Sequence, residues 1–160
     1  VAACAEALAQ SSGRPVRWSV IGGTGATSSG VARNLVPRLP DAPVDAVLVS
    51  CGVNDLTSLR GVARFRRDMS ALLDALHAHS PDAVICCAGI PTLSRFPRLP
   101  EPILAQIVAS RPWVAHLVID ASEFTPATFA ADGYHPNASA YGRLGAEAAA
   151  TLSSLFASRP

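Results

Sequence analysis

Apolar positions recur along the chain with two alternating periods, one helical and one typical of short buried strands. Residues 1–12 are alanine-rich, with Cys4 and Leu8 four positions apart, which predicts a helix. Further helical patterns cover 28–38, 58–79, 102–110 and 137–157. Short apolar runs bounded by turn residues predict strands at 15–21, 44–50, 82–88 and 115–119. Helices and strands therefore alternate from one end of the sequence to the other.

This alternation predicts an α/β fold with a mainly parallel sheet covered by helices on both faces, a three-layer α/β/α arrangement of the flavodoxin-like kind. The sequence has no linker, repeat or low-complexity segment, so residues 1–160 are expected to form a single domain. Ligands of such sheets bind at the carboxyl ends of the strands. The loops expected there are 22–27, 51–56 and 120–135.

Composition narrows the classes of function. The 160 residues are 49% hydrophobic and 16% charged, which is typical of a globular domain. A formal net charge of +1 provides no basic field, so nucleic acid is not an expected partner. No run approaches the roughly 20 apolar residues of a membrane span.

The four cysteines have no disulfide-framework spacing. Cys86 and Cys87 are adjacent in a predicted strand, so their side chains face opposite ways and cannot share one metal ion. We expect buried, reduced thiols, with a disulfide or metal role as the alternative. Reduced thiols favour a reducing compartment, and the cytoplasm is the expected location.

The loop before the last predicted helix contains Asp132 and His135, three residues apart around Gly133. A carboxylate this close to an imidazole can orient the ring and stabilise its charged form. Such a histidine can act as a general base when a nucleophile lies within hydrogen-bond reach. An ordinary surface turn is the alternative, because Asp-Gly is a common turn pair.

Two other loops carry candidate anion-binding groups. The glycine-rich loop 22–27 can present backbone N–H groups to a developing negative charge, or it can simply be a tight turn between a strand and a helix. Asn54 follows a predicted strand, and its amide can donate to the same kind of charge. The neighbouring Asp55 can tie the loop down by accepting backbone N–H bonds, although an Asx turn alone would also explain the pair.

A dinucleotide site is the rival interpretation of the glycine loop. The segment 23–28 lacks the third glycine of the G-x-G-x-x-G fingerprint. The acidic residue expected at the end of the next strand is also missing, since Asp45 lies at the opposite end. Both departures disfavour nucleotide binding.

Three segments, taken in order, resemble sequence blocks of the SGNH hydrolase family, the GDSL-type esterases and lipases. They are Thr24-Gly25-Ala26-Thr27-Ser28, Gly52-Val53-Asn54-Asp55 and Asp132-Gly133-Tyr134-His135-Pro136. The resemblance spans nearly the whole chain and implies a serine esterase acting on a small carboxylic ester or thioester through an acyl-enzyme, without metal or organic cofactor. A fold member that binds acyl or sugar ligands without turnover is the alternative.

The resemblance also implies roles for individual residues. His135 would be the general base, and Asp132 would orient its imidazole. The backbone N–H of Gly25 and the side-chain amide of Asn54 would bind the oxyanion. The loops 90–102 and 120–131 are expected to wall the acyl pocket.

One block of the family is not found. Its nucleophilic serine belongs to a Gly-Asp-Ser block after a first, central strand, and no Gly-Asp-Ser occurs here. Ser28 and Ser29 are better explained as helix-capping residues, with Thr27 as the alternative cap of the helix at 28–38. Because the chain opens at Val1 and its only methionine is Met69, we expect that the first strand and its serine lie upstream and that this chain alone is inactive.

Overall fold

The centre of the protein is a parallel β-sheet. The computed structural model describes residues 1–58, 61–90, 101–120, 122, 125–133 and 135–158. Within them, β1 (Ala46–Val49), β2 (Val84–Ala88) and β3 (Val114–Leu117) form a 3-stranded sheet in the order β1-β2-β3. Both pairs of neighbours are parallel. The strands predicted at 44–50, 82–88 and 115–119 are therefore confirmed, with narrower bounds.

Helices connect and flank the strands. They are α1 (Ala2–Ser12), α2 (Ser28–Asn34), α3 (Val53–Thr57), α4 (Val62–His79), α5 (Glu101–Ala109) and α6 (Ala138–Ala157), with 3-10 turns at Val36–Arg38 and Pro126–Thr128. The helix predicted at 28–38 ends at Asn34, and a 3-10 turn containing Pro37 follows it. The helix predicted at 58–79 begins only at Val62. Among the described residues, none of these helices is both long and apolar enough to cross a bilayer.

Two hydrophobic cores lie on opposite faces of the sheet. One contains Phe65 and Met69 of α4, Leu104 of α5 and Cys87 of β2. The other is built by α1, α6 and the opposite side of the strands, and includes Cys86. Adjacent strand residues point to opposite faces, and the two neighbouring cysteines accordingly enter different cores, as predicted. The three-layer α/β/α arrangement is confirmed.

Burial dominates the chemistry of the thiols. No disulfide joins the four cysteines, each of which lies within the described residues. Burial, with a smaller contribution from the negative charge of Asp55, raises the pKa of Cys51 to about 12. Burial also raises the pKa of Cys86 to about 11. These two side chains are therefore protonated at neutral pH and pack as small apolar groups.

The strand predicted at 15–21 is not observed, and this prediction is wrong for the chain as described. These residues have no regular secondary structure, and Trp18 and Val20 are 50% and 60% exposed. A strand needs a hydrogen-bonding neighbour. Within the described part of the chain, β1 pairs only with β2 and no segment pairs with 15–21. The apolar pattern is present, but none of the described residues forms the neighbouring strand that would order it.

Helices α1 and α6 run side by side in the same direction. Gly145 lies against Ala3, and eight residues further along both helices the hydroxyls of Ser11 and Ser153 are 3.3 Å apart. The sequence pattern places Tyr141 in the core stripe of α6, but this residue is 53% exposed. Tyr141 lies one turn before Gly145 and therefore extends beyond the start of α1, which explains the error.

Replacing Gly145 with alanine is expected to make the protein less stable by about 1–2 kcal/mol, because overpacking outweighs the gain in helix propensity. A Cβ at this position would lie 2.7 Å from the Cβ of Ala3 and 2.9 Å from the backbone nitrogen of Cys4. For Gly142 of the same helix, no atom of the described residues outside its own helix backbone lies within 4 Å of the ideal Cβ. Gly142→Ala should therefore stabilise by about 0.5–1 kcal/mol. Urea unfolding of both variants measures this, and equal stabilities would contradict the packing described here.

Candidate active site

The candidate loops begin at one edge of the sheet. Because β1 and β3 are parallel, their carboxyl ends lie on the same side, and β1 leads directly into Gly52 and Asn54. The chain leaving β3 runs through 118–137 to α6. Neighbouring strands are about 4.8 Å apart, so β1 and β3, with β2 between them, are separated by about 10 Å. The two loops therefore start close enough to contribute to one site.

Asp132 holds His135 through two hydrogen bonds. Its Oδ2 lies 2.6 Å from His135 Nδ1, and its Oδ1 accepts the His135 backbone N–H at 3.0 Å. A carboxylate only accepts, so Nδ1 carries the proton and the neutral ring has its lone pair on Nε2. The side chains of His135 and Asp132 are 62% and 50% exposed, so water screens the interaction between their charges. The contact therefore orients the imidazole more than it stabilises the fold.

A small folded loop supports this dyad. The backbone N–H of Ala130 donates to the His135 carbonyl at 2.8 Å, and Phe129 forms an antiparallel bridge with Pro136. Gly133 has a φ of 64°, a left-handed conformation that favours glycine in this turn. The dyad geometry is thus built into the local backbone.

Asn137 joins this loop to α6. Its side chain caps the helix by accepting the Ala140 N–H at 3.0 Å, and its Nδ2 donates to the Ala127 carbonyl at 2.8 Å. The sequence signal was available, because asparagine before an apolar helical pattern is a preferred N-cap. Its second role, across ten residues, was not predicted.

The asparagine and glycine loops are bonded to each other. Asn54 Nδ2 donates to the Ala26 carbonyl at 3.0 Å. Asp55 accepts the Ser28 backbone N–H at 2.8 Å on Oδ2 and the Ser28 hydroxyl at 2.7 Å on Oδ1. Asp55 thus ties the loop down by accepting a backbone N–H, which is one of the two interpretations that the sequence left open, the other being an Asx turn.

Ser28 is not the helix cap. Thr27 occupies the N-cap position of α2, and its hydroxyl accepts the Gly30 N–H at 3.4 Å. Ser28 is fully buried, and its hydroxyl donates a hydrogen bond to Asp55. Its link to Asp55 spans 27 residues of sequence, which no local pattern could indicate.

Gly25 forms the tip of the glycine loop. The Ala26 N–H donates to the Gly23 carbonyl at 3.1 Å, closing a turn in which Gly25 has a φ of 69°. Turns with a positive φ at this third position favour glycine. The turn bond uses the N–H of Ala26 and not that of Gly25.

The structure therefore assembles the predicted residues as two internally bonded units. Asn54 and the loop of Gly25 form one, and Asp132 and His135 form the other; the shared sheet edge relates them. Of the loops expected to wall a pocket, most of 90–102 lies outside the described residues, as does part of 120–131.

A mainly parallel sheet between helical layers, with polar loops at its carboxyl edge, is the fold of the SGNH hydrolases. The sequence matches the GDSL-like Lipase/Acylhydrolase family over residues 1–143. The chain belongs to this family.

Known proteins agree with this assignment. The chain is 27% identical over 157 residues to the GDSL-like esterase Rv1075c of Mycobacterium tuberculosis, a match covering 86% of this chain and 49% of that protein. The chain thus spans about half the length of this relative. Its fold is similar to a family 3 carbohydrate esterase of Clostridium thermocellum, with a TM-score of 0.78, 16% identity and coverage of 98% and 86%. A carbohydrate esterase family 3 structure from Talaromyces cellulolyticus is also similar, with a TM-score of 0.74 and 16% identity. The match covers 99% of this chain and 92% of that one.

Proposed function

We propose that this chain carries the general base and the oxyanion-binding groups of a serine esterase that hydrolyses carboxylic esters or thioesters through an acyl-enzyme. The observation that carries the proposal is the 2.6 Å contact between Asp132 Oδ2 and His135 Nδ1, reinforced by the second Asp132 bond to the His135 backbone. A bidentate carboxylate leaves Nε2 of the ring as the basic atom, which is what a general base requires.

The proposed mechanism has two acyl-transfer steps. In the first, His135 Nε2 takes the proton of a serine hydroxyl while that oxygen attacks the ester carbonyl. The resulting imidazolium is stabilised by Asp132 and returns the proton to the departing alcohol or thiol. In the second step, water replaces the serine as the attacking group, and His135 again accepts and then returns a proton.

The negative oxygen of the tetrahedral intermediate requires fixed donors. One amide hydrogen of Asn54 is used on the Ala26 carbonyl, which orients the amide and directs the second hydrogen elsewhere. We assign that second hydrogen and the Gly25 backbone N–H to the oxyanion hole. Loss of one such donor lowers kcat by about 100- to 1,000-fold in serine hydrolases.

The nucleophilic serine is proposed to come from residues upstream of Val1. The sequence has no Gly-Asp-Ser, and Ser28 is buried with its hydroxyl bonded to Asp55. Within the described residues, further support comes from the open side of β1 and from segment 15–21, which has a strand-like sequence but pairs with no strand. The substrate class is a small ester, and acetylated sugars are included because both structural neighbours are carbohydrate esterases.

Two proteins test the proposal: this 160-residue chain, and the longer gene product that the proposal requires, in which the serine block precedes Val1. We expect the longer product to hydrolyse p-nitrophenyl acetate or acetylated xylose, and to be labelled by a fluorophosphonate on a serine upstream of Val1. The shorter chain should do neither. If the longer product binds such ligands without hydrolysing them, the protein is a binding domain and the proposed esterase function is wrong. Robust turnover by the 160-residue chain would contradict the proposal that the nucleophile lies upstream of Val1.

A further inference from the structure

Two parallel hydrogen-bonded links connect the glycine loop with the loop after β1. One runs from Asn54 Nδ2 to the Ala26 carbonyl at 3.0 Å. The other runs from both oxygens of Asp55 to Ser28, at 2.8 Å to its N–H and 2.7 Å to its hydroxyl. Asn54 and Asp55 are adjacent in sequence, and their partners Ala26 and Ser28 are two residues apart. Two links at neighbouring points fix both the distance and the relative orientation of the loops.

The Asp55 link is buried. Asp55 and Ser28 each have 0% exposure, so water does not compete for these bonds. A carboxylate that accepts two short bonds in such surroundings is held firmly, because losing either bond would leave a buried charge less satisfied. The charge is felt locally, since Asp55 adds to the rise in the pKa of Cys51 that burial causes.

The link between Asp55 and Ser28 lies next to both proposed oxyanion donors in the chain. Asp55 follows Asn54 in α3, and Ser28 is three residues after Gly25, at the first turn of α2. A shift of Ser28 would move the turn that contains Gly25. A shift of Asp55 would move the amide of Asn54. Donors that are fixed before the charge develops stabilise the transition state without a cost of reorganisation.

We propose that Asp55, through Ser28, is a positioning residue that holds the Gly25 N–H and the Asn54 amide at a fixed separation, so that the oxyanion hole is formed before substrate binds. This inference rests on the proposed esterase function for its catalytic consequence. The physical coupling of the two loops is independent of that function. Asp55 itself does not touch the reacting atoms.

Three variants of the longer gene product test the coupling. Asp55→Ala removes both bonds to Ser28. Ser28→Ala removes only the hydroxyl bond and retains the backbone one. Asp55→Asn is the conservative variant, because an amide can accept the Ser28 N–H and donate to the Ser28 hydroxyl. Backbone hydrogen exchange of residues 24–28 and the separate values of kcat and KM are measured for each.

We expect Asp55→Ala to speed hydrogen exchange in residues 24–28 and to lower kcat by at least about 10-fold. KM should change less than about twofold, because a displaced donor mainly reduces stabilisation of the transition state. Ser28→Ala should give a smaller loss of the same kind. Asp55→Asn should restore most of kcat. If Asp55→Ala does not fold, Ser28→Ala decides by the same two measurements.

Asp68 provides a matched control for loss of a buried carboxylate. It is 6% exposed and pairs with Arg64 and Arg67 of the same helix, at 3.6 and 2.7 Å. Asp68→Ala should lower the melting temperature while exchange in 24–28 and kcat stay near wild-type values. An equal fall in kcat in this control would reduce the role of Asp55 to general stability and overturn the inference.

Two further outcomes separate the hypotheses. Unchanged exchange in Asp55→Ala and Ser28→Ala overturns the coupling, and faster exchange with an unchanged kcat overturns the positioning role. If the wild-type product hydrolyses no ester, the proposed function fails. The exchange data then still decide whether Asp55 couples the loops: faster exchange supports it and unchanged exchange overturns it.

Discussion

Replacing His135 with alanine is expected to lower kcat for ester hydrolysis by the longer gene product on the order of 10⁴-fold, with little change in KM. In the proposed mechanism the imidazole is needed twice in each step, first to accept the proton of the attacking oxygen and then to return it to the leaving group. Alanine offers no proton acceptor at that position. The proposed oxyanion donors, Gly25 and Asn54, would remain and would account for the residual rate.

His79 gives a suitable control for this measurement. It lies at the carboxyl end of α4, and its Nδ1 is 3.0 Å from the Ser80 hydroxyl. His79→Ala should leave kcat within about twofold of wild type, because the half-buried His79 belongs to neither bonded unit of the candidate site. Both variants are compared on one p-nitrophenyl ester, with the melting temperature recorded for each. A His135→Ala variant that retains wild-type kcat would refute the assignment of the base.

The architecture could be predicted because its signals are local. The buried run of β2 and the three-and-four spacing of α4 each need only a short window of sequence. Their order then implies a parallel sheet with two helical layers. Segment 15–21 has an equally clear local pattern but no strand, because pairing depends on a neighbour that none of the described residues provides. Periodicity indicates which residues can form a strand and not whether a partner is present.

The same distinction applies to the candidate site. Asp132 and His135 are three residues apart, so their contact could be expected from spacing within one turn. Asp55 was expected to accept a backbone N–H, but the donor, Ser28, lies 27 residues away and could not be identified. Chain proximity determines the first contact, whereas the second depends on how the start of α2 lies beside α3. Long-range contacts of this kind require the tertiary structure.

Gly52 occupies a position where a side chain is excluded twice, once by backbone conformation and once by packing. Its φ of 122° lies in a region that residues with a Cβ rarely adopt. An added Cβ would lie 2.5 Å from Ile90 Cδ1 and 3.3 Å from Phe65 Cε2. Ile90 and Phe65 are 2% and 1% exposed, so neither can move aside into solvent.

Gly52→Ala is therefore expected to lower the free energy of unfolding by about 3 kcal/mol, the sum of backbone strain and overpacking. For a protein of this size the melting temperature should fall by about 10 °C. Gly61→Ala is the matched control, since Gly61 has a φ of −62° and, among the described residues, no atom beyond its chain neighbours lies within 4 Å of its ideal Cβ. Thermal and urea unfolding of the two variants measure the difference. A Gly52→Ala variant as stable as Gly61→Ala would show that the turn between β1 and α3 is not held in the conformation described, and the fixed position of Asn54 would lose its structural basis.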